Sequence, residues 1–250
     1  MNTAERSEAQ AALGHARKAV EALEALLAAT PAPTPKTAPA PLPAPAKGIS
    51  DPTAFFNHVR AAKLLGESLS EAEVQGCNAI LTACAGIYPA SWTAYALATA
   101  WLETAGTMQP IKEYGGAAYF RRMYDIEGDR PAKAKELGNL TPGDGAKYAG
   151  RGFVQLTGRA NYQRAQEKLG KPLVTNPDLA MEPAAAAAIM VGGMKEAWFT
   201  GKALNDFIPA EAGLEHFKNA RRIINGTDRA LDIAKAAMTF QDALKAGGWR

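Results

Sequence analysis

Apolar residues recur at helical rather than strand spacing along most of the chain. Asp51 or Ser50, followed directly by a proline, predicts the start of one helix. Ser70 and Glu73 form a capping box that predicts the start of a second helix. The segment WTAYALATAWLE, with Ser91 as its predicted cap, is apolar almost all round and is therefore expected to be a buried central helix.

Gly106 and Pro110 are expected to end this central helix. A polar, glycine-rich stretch follows from about Tyr114 to Gly152, with one short hairpin expected around it. Runs of alternating β-branched residues are nearly absent, so the predicted fold class is mainly α. Further helices are predicted near Asn161–Leu169, Pro183–Trp198, Leu214–Ile224 and Ala230–Ala246.

The chain divides into three regions by composition. Residues 1–29 are rich in helix-forming residues and carry one apolar stripe, which predicts either a helix that self-associates or one that packs on its own domain. Residues 30–47 form a Pro/Ala-rich linker, because repeated prolines exclude both a helix and a central strand. Residues 48–250 have a globular composition and form the predicted catalytic domain.

Scarce residue types exclude several site chemistries. The three histidines and two cysteines lack the close pairs that a zinc site uses, and no metal or other cofactor is expected. Cys77 and Cys84 would lie about 10 Å apart on one helix, which is too far for a disulfide. The sequence therefore indicates folding in a reducing compartment.

Charge and hydropathy narrow the possible partners. A net charge of +3 is too balanced to favour nucleic acid. The sequence contains no run of 18 apolar residues that would predict a transmembrane helix, and its first residues lack the pattern of a secretory signal. We therefore expect synthesis in a cytoplasm, with any role at a cell wall requiring another route across the membrane.

Two carboxylates are the strongest candidates for catalysis. Glu103 is predicted at the C-terminal end of the apolar helix, where apolar neighbours and the helix dipole would raise its pKa, as a general acid requires. Glu113 follows ten residues later, beyond two helix breakers. Such a pair could face each other across a cleft, and a separation of about 6.5–9.5 Å would suit an inverting glycosidase.

A second group of polar residues follows a glycine-containing segment. Gly150 and Gly152 permit positive φ and close approach of the backbone. Gln155 and Thr157 alternate with apolar residues, so an extended segment would place both side chains on one face. An amide and a hydroxyl suit sugar hydroxyls and a bound water. Asn161 and Tyr162 extend that face in the prediction, with Tyr162 offering a ring to stack against a pyranose.

Four segments together resemble glycoside hydrolase family 19, in order and at suitable spacings: ATAWLETAGTMQPIKEYGG, YAGRGFVQLTGRANY, NPDLAMEPAAAA and RRIINGTDRA. The resemblance covers roughly residues 50–250. The family includes chitinases and compact phage endolysins that cut peptidoglycan. It implies a lysozyme-like helical fold with a cleft, an inverting mechanism and no metal.

The resemblance also implies roles for individual residues. Glu103 would be the general acid and Glu113 the general base, and Thr157 would help to hold the attacking water. The implied sugar-binding residues are Gln155, Asn161 and Asn225, with Tyr148 and Arg222 as weaker candidates. Members commonly have histidine before the catalytic glutamate, whereas this chain has Leu102, a difference that would alter the pH profile if that histidine tunes the acid.

These observations favour an endolysin-type glycosidase that hydrolyses the glycan strands of peptidoglycan and lyses bacterial walls. Its expected partners are the glycan strands and a separate pore-forming protein that lets it leave the cytoplasm of a phage-infected host. A chitinase acting on β-1,4-linked N-acetylglucosamine is the first alternative. A non-catalytic wall-binding or structural virion module is the second.

Overall fold

The structure is a computed structural model that describes residues 48–250. The predicted helix at 1–29 and linker at 30–47 lie outside the described residues, and both stay predictions. The described part is mainly α-helical, as the apolar pattern predicts. Its helices are α1 (Pro52–Ala61), α2 (Glu71–Cys84), α3 (Ala90–Glu103), α4 (Ala117–Tyr124), α5 (Pro131–Glu136), α6 (Asp144–Lys147), α7 (Arg159–Leu169), α8 (Pro183–Lys195), α9 (Leu214–Ala220) and α10 (Ala230–Ala246); its strands are β1 (Ile111–Lys112) and β2 (Arg151–Gly152).

The first two helices begin where their capping residues predict. The side chain of Asp51 accepts a hydrogen bond of 2.9 Å from the backbone N–H of Ala54 at the start of α1. At the start of α2, Ser70 and Glu73 form the predicted reciprocal capping box. Both helices therefore obtain their first hydrogen-bond acceptors from local sequence.

Helix α3 is the central buried helix of the domain, as predicted. It begins at Ala90 with Pro89 as its N-cap, so the prediction that Ser91 caps it is wrong. Ser91 lies inside the first turn, where its hydroxyl donates to the carbonyl of Pro209 at 2.9 Å. A distant acceptor thus replaces the local capping role that the sequence suggested.

Two apolar clusters form the core. The larger one surrounds α3, which packs against α10, while α1 and α9 also pack on α10 and α2 packs on α8. The smaller cluster lies around α7 and is formed by Tyr148, Leu156, Tyr162, Ala165, Leu173, Ala180, Ile189 and Trp198. Helix α8 joins the two, because Ile189 belongs to the smaller cluster and Met190 to the larger one.

The polar stretch from Tyr114 to Gly152 is more regular than predicted, since α4, α5 and α6 all lie within it. Buried polar side chains hold these short helices in place. The Asp125 carboxylate accepts hydrogen bonds from the N–H groups of Gly143 and Gly145, at 2.8 and 3.1 Å. These contacts join residues 18 and 20 positions apart, so a local pattern does not show them.

The strands form a small antiparallel pair in which Ile111 faces Gly152 and Lys112 faces Arg151. Because α4 to α6 separate them along the chain, β1 and β2 are not a hairpin. A tight turn does occur next to β2, where Arg151 and Leu156 exchange backbone hydrogen bonds of 2.8 and 3.3 Å. The predicted hairpin region thus contains this turn and a longer-range strand pair.

Helix ends are predicted less well than helix positions. Helix α8 ends at Lys195 rather than Trp198, because Ala197 adopts a left-handed φ of 60°. The helix predicted at Leu214–Ile224 is α9 followed by a separate 3₁₀ turn, Arg221–Ile223. Among residues 48–250, the helices are all too short or too polar to cross a membrane.

Candidate active site

Glu103 is the last residue of α3, and its side chain is 21% exposed. Its Oε1 accepts a short hydrogen bond of 2.5 Å from Nη1 of Arg221, whose side chain is only 3% exposed. Arg221 is itself held by Asp228, whose backbone carbonyl accepts from Nε at 3.0 Å. The prediction that Glu103 has apolar surroundings is therefore wrong in one respect, since a buried guanidinium lies directly beside the carboxylate.

The loop between Glu103 and β1 is fixed by close packing on α2. A Cβ atom at Gly76 would lie 1.7 Å from the carbonyl oxygen of Met108, so this position of α2 has no room for a side chain. Within the loop, Thr104 accepts from the N–H of Met108 at 3.0 Å. The segment that joins the two candidate carboxylates is consequently held against the larger apolar cluster.

Glu113 directly follows β1 and continues the strand pairing. Its backbone N–H donates to the carbonyl of Gly150 at 2.8 Å. Its Oε1 accepts from the hydroxyl of Tyr124 at 2.7 Å, and its Oε2 accepts from the N–H of Gly150 at 3.0 Å. Both carboxylate oxygens are thereby oriented by donors from two different elements.

Tyr124 remains a hydrogen-bond donor to this carboxylate. Burial and the adjoining charge of Glu113 raise the pKa of Tyr124 well above its usual range. The phenol consequently keeps its proton at neutral pH and points it at Glu113.

Gln155 lies beside Glu113 because Gly150 leaves space for both. An added Cβ at Gly150 would lie 2.8 Å from Oε1 of Gln155 and 3.0 Å from Oε2 of Glu113. The amide of Gln155 is fixed by donating to the carbonyls of Ile111 and Gly152, at 3.0 and 3.3 Å. The predicted close approach of the backbone at Gly150 is therefore confirmed, and it serves this pair of side chains.

Gln155, Thr157 and Asn161 form a row of half-buried polar side chains. The Thr157 hydroxyl donates to the carbonyl of Gln155 at 2.8 Å, and the Asn161 amide donates to the carbonyl of Thr157 at 2.8 Å. Val154 and Leu156 are buried, so the alternation in burial is as predicted. The predicted extended conformation is wrong, because Gln155 takes a left-handed φ of 53° within the tight turn.

Tyr148 and Tyr162 do not lie on that polar row. Both are fully buried in the smaller apolar cluster, with ring centroids 5.3 Å apart. The hydroxyl of Tyr148 donates to Val174, and that of Tyr162 contacts Arg151 and the carbonyl of Ala149. Burial raises the pKa of Tyr162 to about 12. The prediction of Tyr162 as a stacking surface and of Tyr148 as a sugar ligand is corrected, because neither ring is accessible.

Asn225 is linked to Arg221, the residue that contacts Glu103. Its backbone N–H donates to the carbonyl of Arg221 at 3.0 Å, and its side chain is exposed. Arg222 has a different partner, since its Nη1 donates to the side-chain oxygen of Asn219 at 2.7 Å. Of the two adjacent arginines, the one that reaches the candidate acid is thus the one that the sequence reasoning passed over.

The contacts therefore collect the predicted residues into two groups. One contains Glu113, Gln155, Thr157 and Asn161, and the other contains Glu103 with Asn225 linked through Arg221.

The residues that sequence reasoning missed are Arg221 and Tyr124, and helical spacing carries a signal for each. Arg221 follows the buried Phe217 by four positions, and Tyr124 follows the buried Phe120 by four positions. Residues four apart share one helix face, so each polar group is directed inward. The four-residue spacing from a buried phenylalanine therefore predicts an inward-facing polar side chain at both positions.

Part of the chain is similar to known proteins. Residues 90–202 match a family model described as chitinase class I, glycoside hydrolase family 19. An acidic endochitinase of Petunia hybrida is 36% identical over 76 residues, which is 30% of this chain and 23% of that relative. The chain thus matches about a quarter of the length of this curated relative.

The solved structures that match the chain include chitinase C from Streptomyces griseus HUT6037, with 21% identity, a TM-score of 0.47 and coverage of 80% of this chain and 86% of that one. A bacterial family 19 chitinase is 18% identical, with a TM-score of 0.37 and coverage of 80% and 90%.

The matched segment contains both candidate glutamates and the row from Gln155 to Asn161. The match to glycoside hydrolase family 19 covers somewhat less than half of the chain.

Proposed function

We propose that this protein is an endolysin-type glycosidase that hydrolyses the glycan strands of peptidoglycan by an inverting mechanism. The observation that carries the proposal is the arrangement of Glu113, whose two oxygens are each held by one donor. Each carboxylate oxygen has two lone pairs, so each keeps one with which to accept a proton. A carboxylate fixed in this way suits the general base of glycan hydrolysis.

Thr157 would position the attacking water. Its hydroxyl proton is used in the hydrogen bond to Gln155, so the oxygen can act only as an acceptor towards a water. A water that donates one proton to Glu113 and the other to Thr157 keeps a lone pair free for the anomeric carbon. Gln155, Asn161 and Asn225 would line the sugar sites.

Glu103 would act as the general acid. In the substrate complex, the protonated carboxyl group would donate to the glycosidic oxygen as the bond to the leaving sugar breaks. The carboxylate that forms would be stabilised by the Arg221 guanidinium, which already lies against Oε1. Arg221 is a positioning residue in this scheme, since it acts through Glu103.

The state of the two cysteines favours peptidoglycan over chitin, because it bears on the compartment in which the protein folds. Cys77 and Cys84 are both free and buried, which fits a protein that accumulates in a reducing cytoplasm and then reaches the wall through a pore formed by another protein. Chitin is the second candidate, and it is favoured by the names of the matched relatives.

The test compares hydrolysis of purified peptidoglycan and of colloidal chitin by the full chain. We expect reducing ends from peptidoglycan, and mass spectrometry of those ends would identify which bond is cut. Strong turnover of chitin without release from peptidoglycan would replace the first assignment by the second. Absence of turnover on both, with binding retained, would indicate a non-catalytic wall-binding module.

Glu103→Gln and Glu113→Gln test the assigned roles, because each keeps the shape of the side chain and removes its acid or base function. We expect each to lower kcat by about 10²- to 10⁴-fold while binding is retained. Glu67→Gln is the matched control, since that side chain is exposed and pairs only with Lys63. NMR of the first product should detect inversion at the anomeric carbon, and retention would refute the direct attack of water.

A further inference from the structure

Two exposed aromatic side chains follow the proposed base. Tyr114 is 94% exposed and is the next residue after Glu113, and Tyr119 is 42% exposed at the start of α4. In residues 48–250, they are the aromatic members of a small set of exposed large apolar side chains. Neither belongs to the two apolar clusters, so their positions are not explained by packing of the core.

Contacts connect the ring of Tyr119 to the carboxylate of Glu113. The Tyr124 hydroxyl that holds Glu113 belongs to a ring stacked with Phe120 at 6.3 Å between centroids. Phe120 in turn makes an edge contact with Tyr119 at 5.5 Å. A continuous aromatic series thus runs from the proposed base to the exposed surface.

Gly115 brings the backbone after Tyr114 close to this series. An added Cβ at Gly115 would lie 2.7 Å from Cδ1 of Tyr119 and 2.9 Å from Cζ of Phe120. The glycine also has a positive φ of 154°, near the limit of the region that favours glycine. Tyr114 is therefore attached to a backbone that packs tightly on α4, while its own ring remains in solvent.

We propose that Tyr114 and Tyr119 form a sugar-binding surface that takes an N-acetylhexosamine ring of the glycan beside Glu113. The apolar C–H face of a pyranose stacks on an aromatic ring, and the Tyr hydroxyl remains available for a sugar hydroxyl. The identity of this ligand rests on the proposed function. The surface replaces the stacking role that the buried Tyr162 cannot perform.

The test measures binding of an N-acetylglucosamine hexasaccharide to the full chain carrying Glu103→Gln, by titration calorimetry. Adding Tyr114→Ala should weaken the affinity about tenfold, equivalent to about 1.4 kcal/mol. Tyr114→Phe and Tyr114→Trp should remain within about twofold of the parent, because both retain a ring. Ile87→Ala is the control, since it truncates another half-exposed apolar side chain outside the proposed site.

Unchanged affinity in Tyr114→Ala would overturn the inference, as would an equal loss in Tyr114→Phe and Tyr114→Ala. Sedimentation of the parent and of Tyr114→Ala tests a second copy of the chain as the occupant. A dimer that dissociates in the variant would also overturn the sugar assignment.

Hydrolysis by the unsubstituted chain, which retains Glu103, separates this inference from the proposed function. The first informative outcome is loss of hexasaccharide binding in Tyr114→Ala with no hydrolysis of any glycan by the unsubstituted chain. It would support the surface and refute the catalytic proposal. Hydrolysis together with binding that is independent of Tyr114 would refute the surface alone.

Discussion

Gly150→Ala is a direct test of how the proposed base is held. The added methyl group would point at Glu113 and Gln155, at 3.0 Å from Oε2 of the first and 2.8 Å from Oε1 of the second. Neither side chain can simply turn away. The Tyr124 hydroxyl holds the carboxylate, and the carbonyls of Ile111 and Gly152 hold the amide.

The size of the effect follows from these distances. Ordinary Cβ contacts begin at 3.4 Å, so the two oxygens must retreat by about half an ångström. Such a displacement also lengthens the hydrogen bond from the N–H of Gly150 to Glu113. Because a misplacement of about 1 Å can cost about 10²-fold in rate, we expect a displacement of half that size to lower kcat by about 10-fold.

The effect of Gly150→Ala on stability depends on two opposing contributions. Gly150 has no left-handed φ, so alanine meets no backbone strain there. The loss of unfolded-chain entropy favours alanine by about 0.4–1 kcal/mol, while crowding costs about 1–3 kcal/mol. The net cost is about 0–2.6 kcal/mol, so we expect the melting temperature to fall by no more than about 10 °C.

The assay is steady-state hydrolysis of the glycan that the parent cleaves, together with a thermal melt. Gly213→Ala is the matched control, because a Cβ there meets no atom within 4 Å and its φ of −115° suits any residue. Parental kcat in a folded Gly150→Ala variant would refute the reasoning about Glu113. A general collapse of stability would instead show that Gly150 is needed for the fold.

Three further outcomes are expected. Tyr124→Phe should lower kcat by about 10- to 100-fold, because it removes the hydrogen bond that orients the proposed base; an unchanged rate would contradict the assigned role. Arg221→Gln should lower the free energy of unfolding by about 1.5–3 kcal/mol, because it removes the hydrogen bond between a buried guanidinium and the Glu103 carboxylate; denaturant unfolding checks this, and an unchanged midpoint would contradict the contact. Burial raises the pKa of Cys77 to about 12 and that of Cys84 well above its usual range, so both thiols should resist a disulfide reagent at mildly alkaline pH until the protein is unfolded, and rapid labelling of the folded chain would contradict their burial.

Local sequence was sufficient for the long helices. The caps at Asp51 and Ser70 follow from residues within one turn of each other, where side chains bond the nearest free N–H groups. Helix α10 has the predicted bounds without a side-chain cap. The sequence also shows that Gly150 has no side chain and permits close packing. It does not show that Glu113 and Gln155 are the side chains that pack there. Where the needed contact is distant, as for Ser91 and Pro209, the local prediction was wrong.

The sequence by itself determined that the protein is mainly helical and which polar residues are candidates for glycan chemistry. Only the tertiary structure decided their environments. It buried Tyr162, left Tyr114 in solvent, and placed Arg221 against Glu103 across 118 residues. The physical reason is that burial and ion pairing depend on which distant elements share a surface, whereas periodicity shows only which side of one helix is apolar.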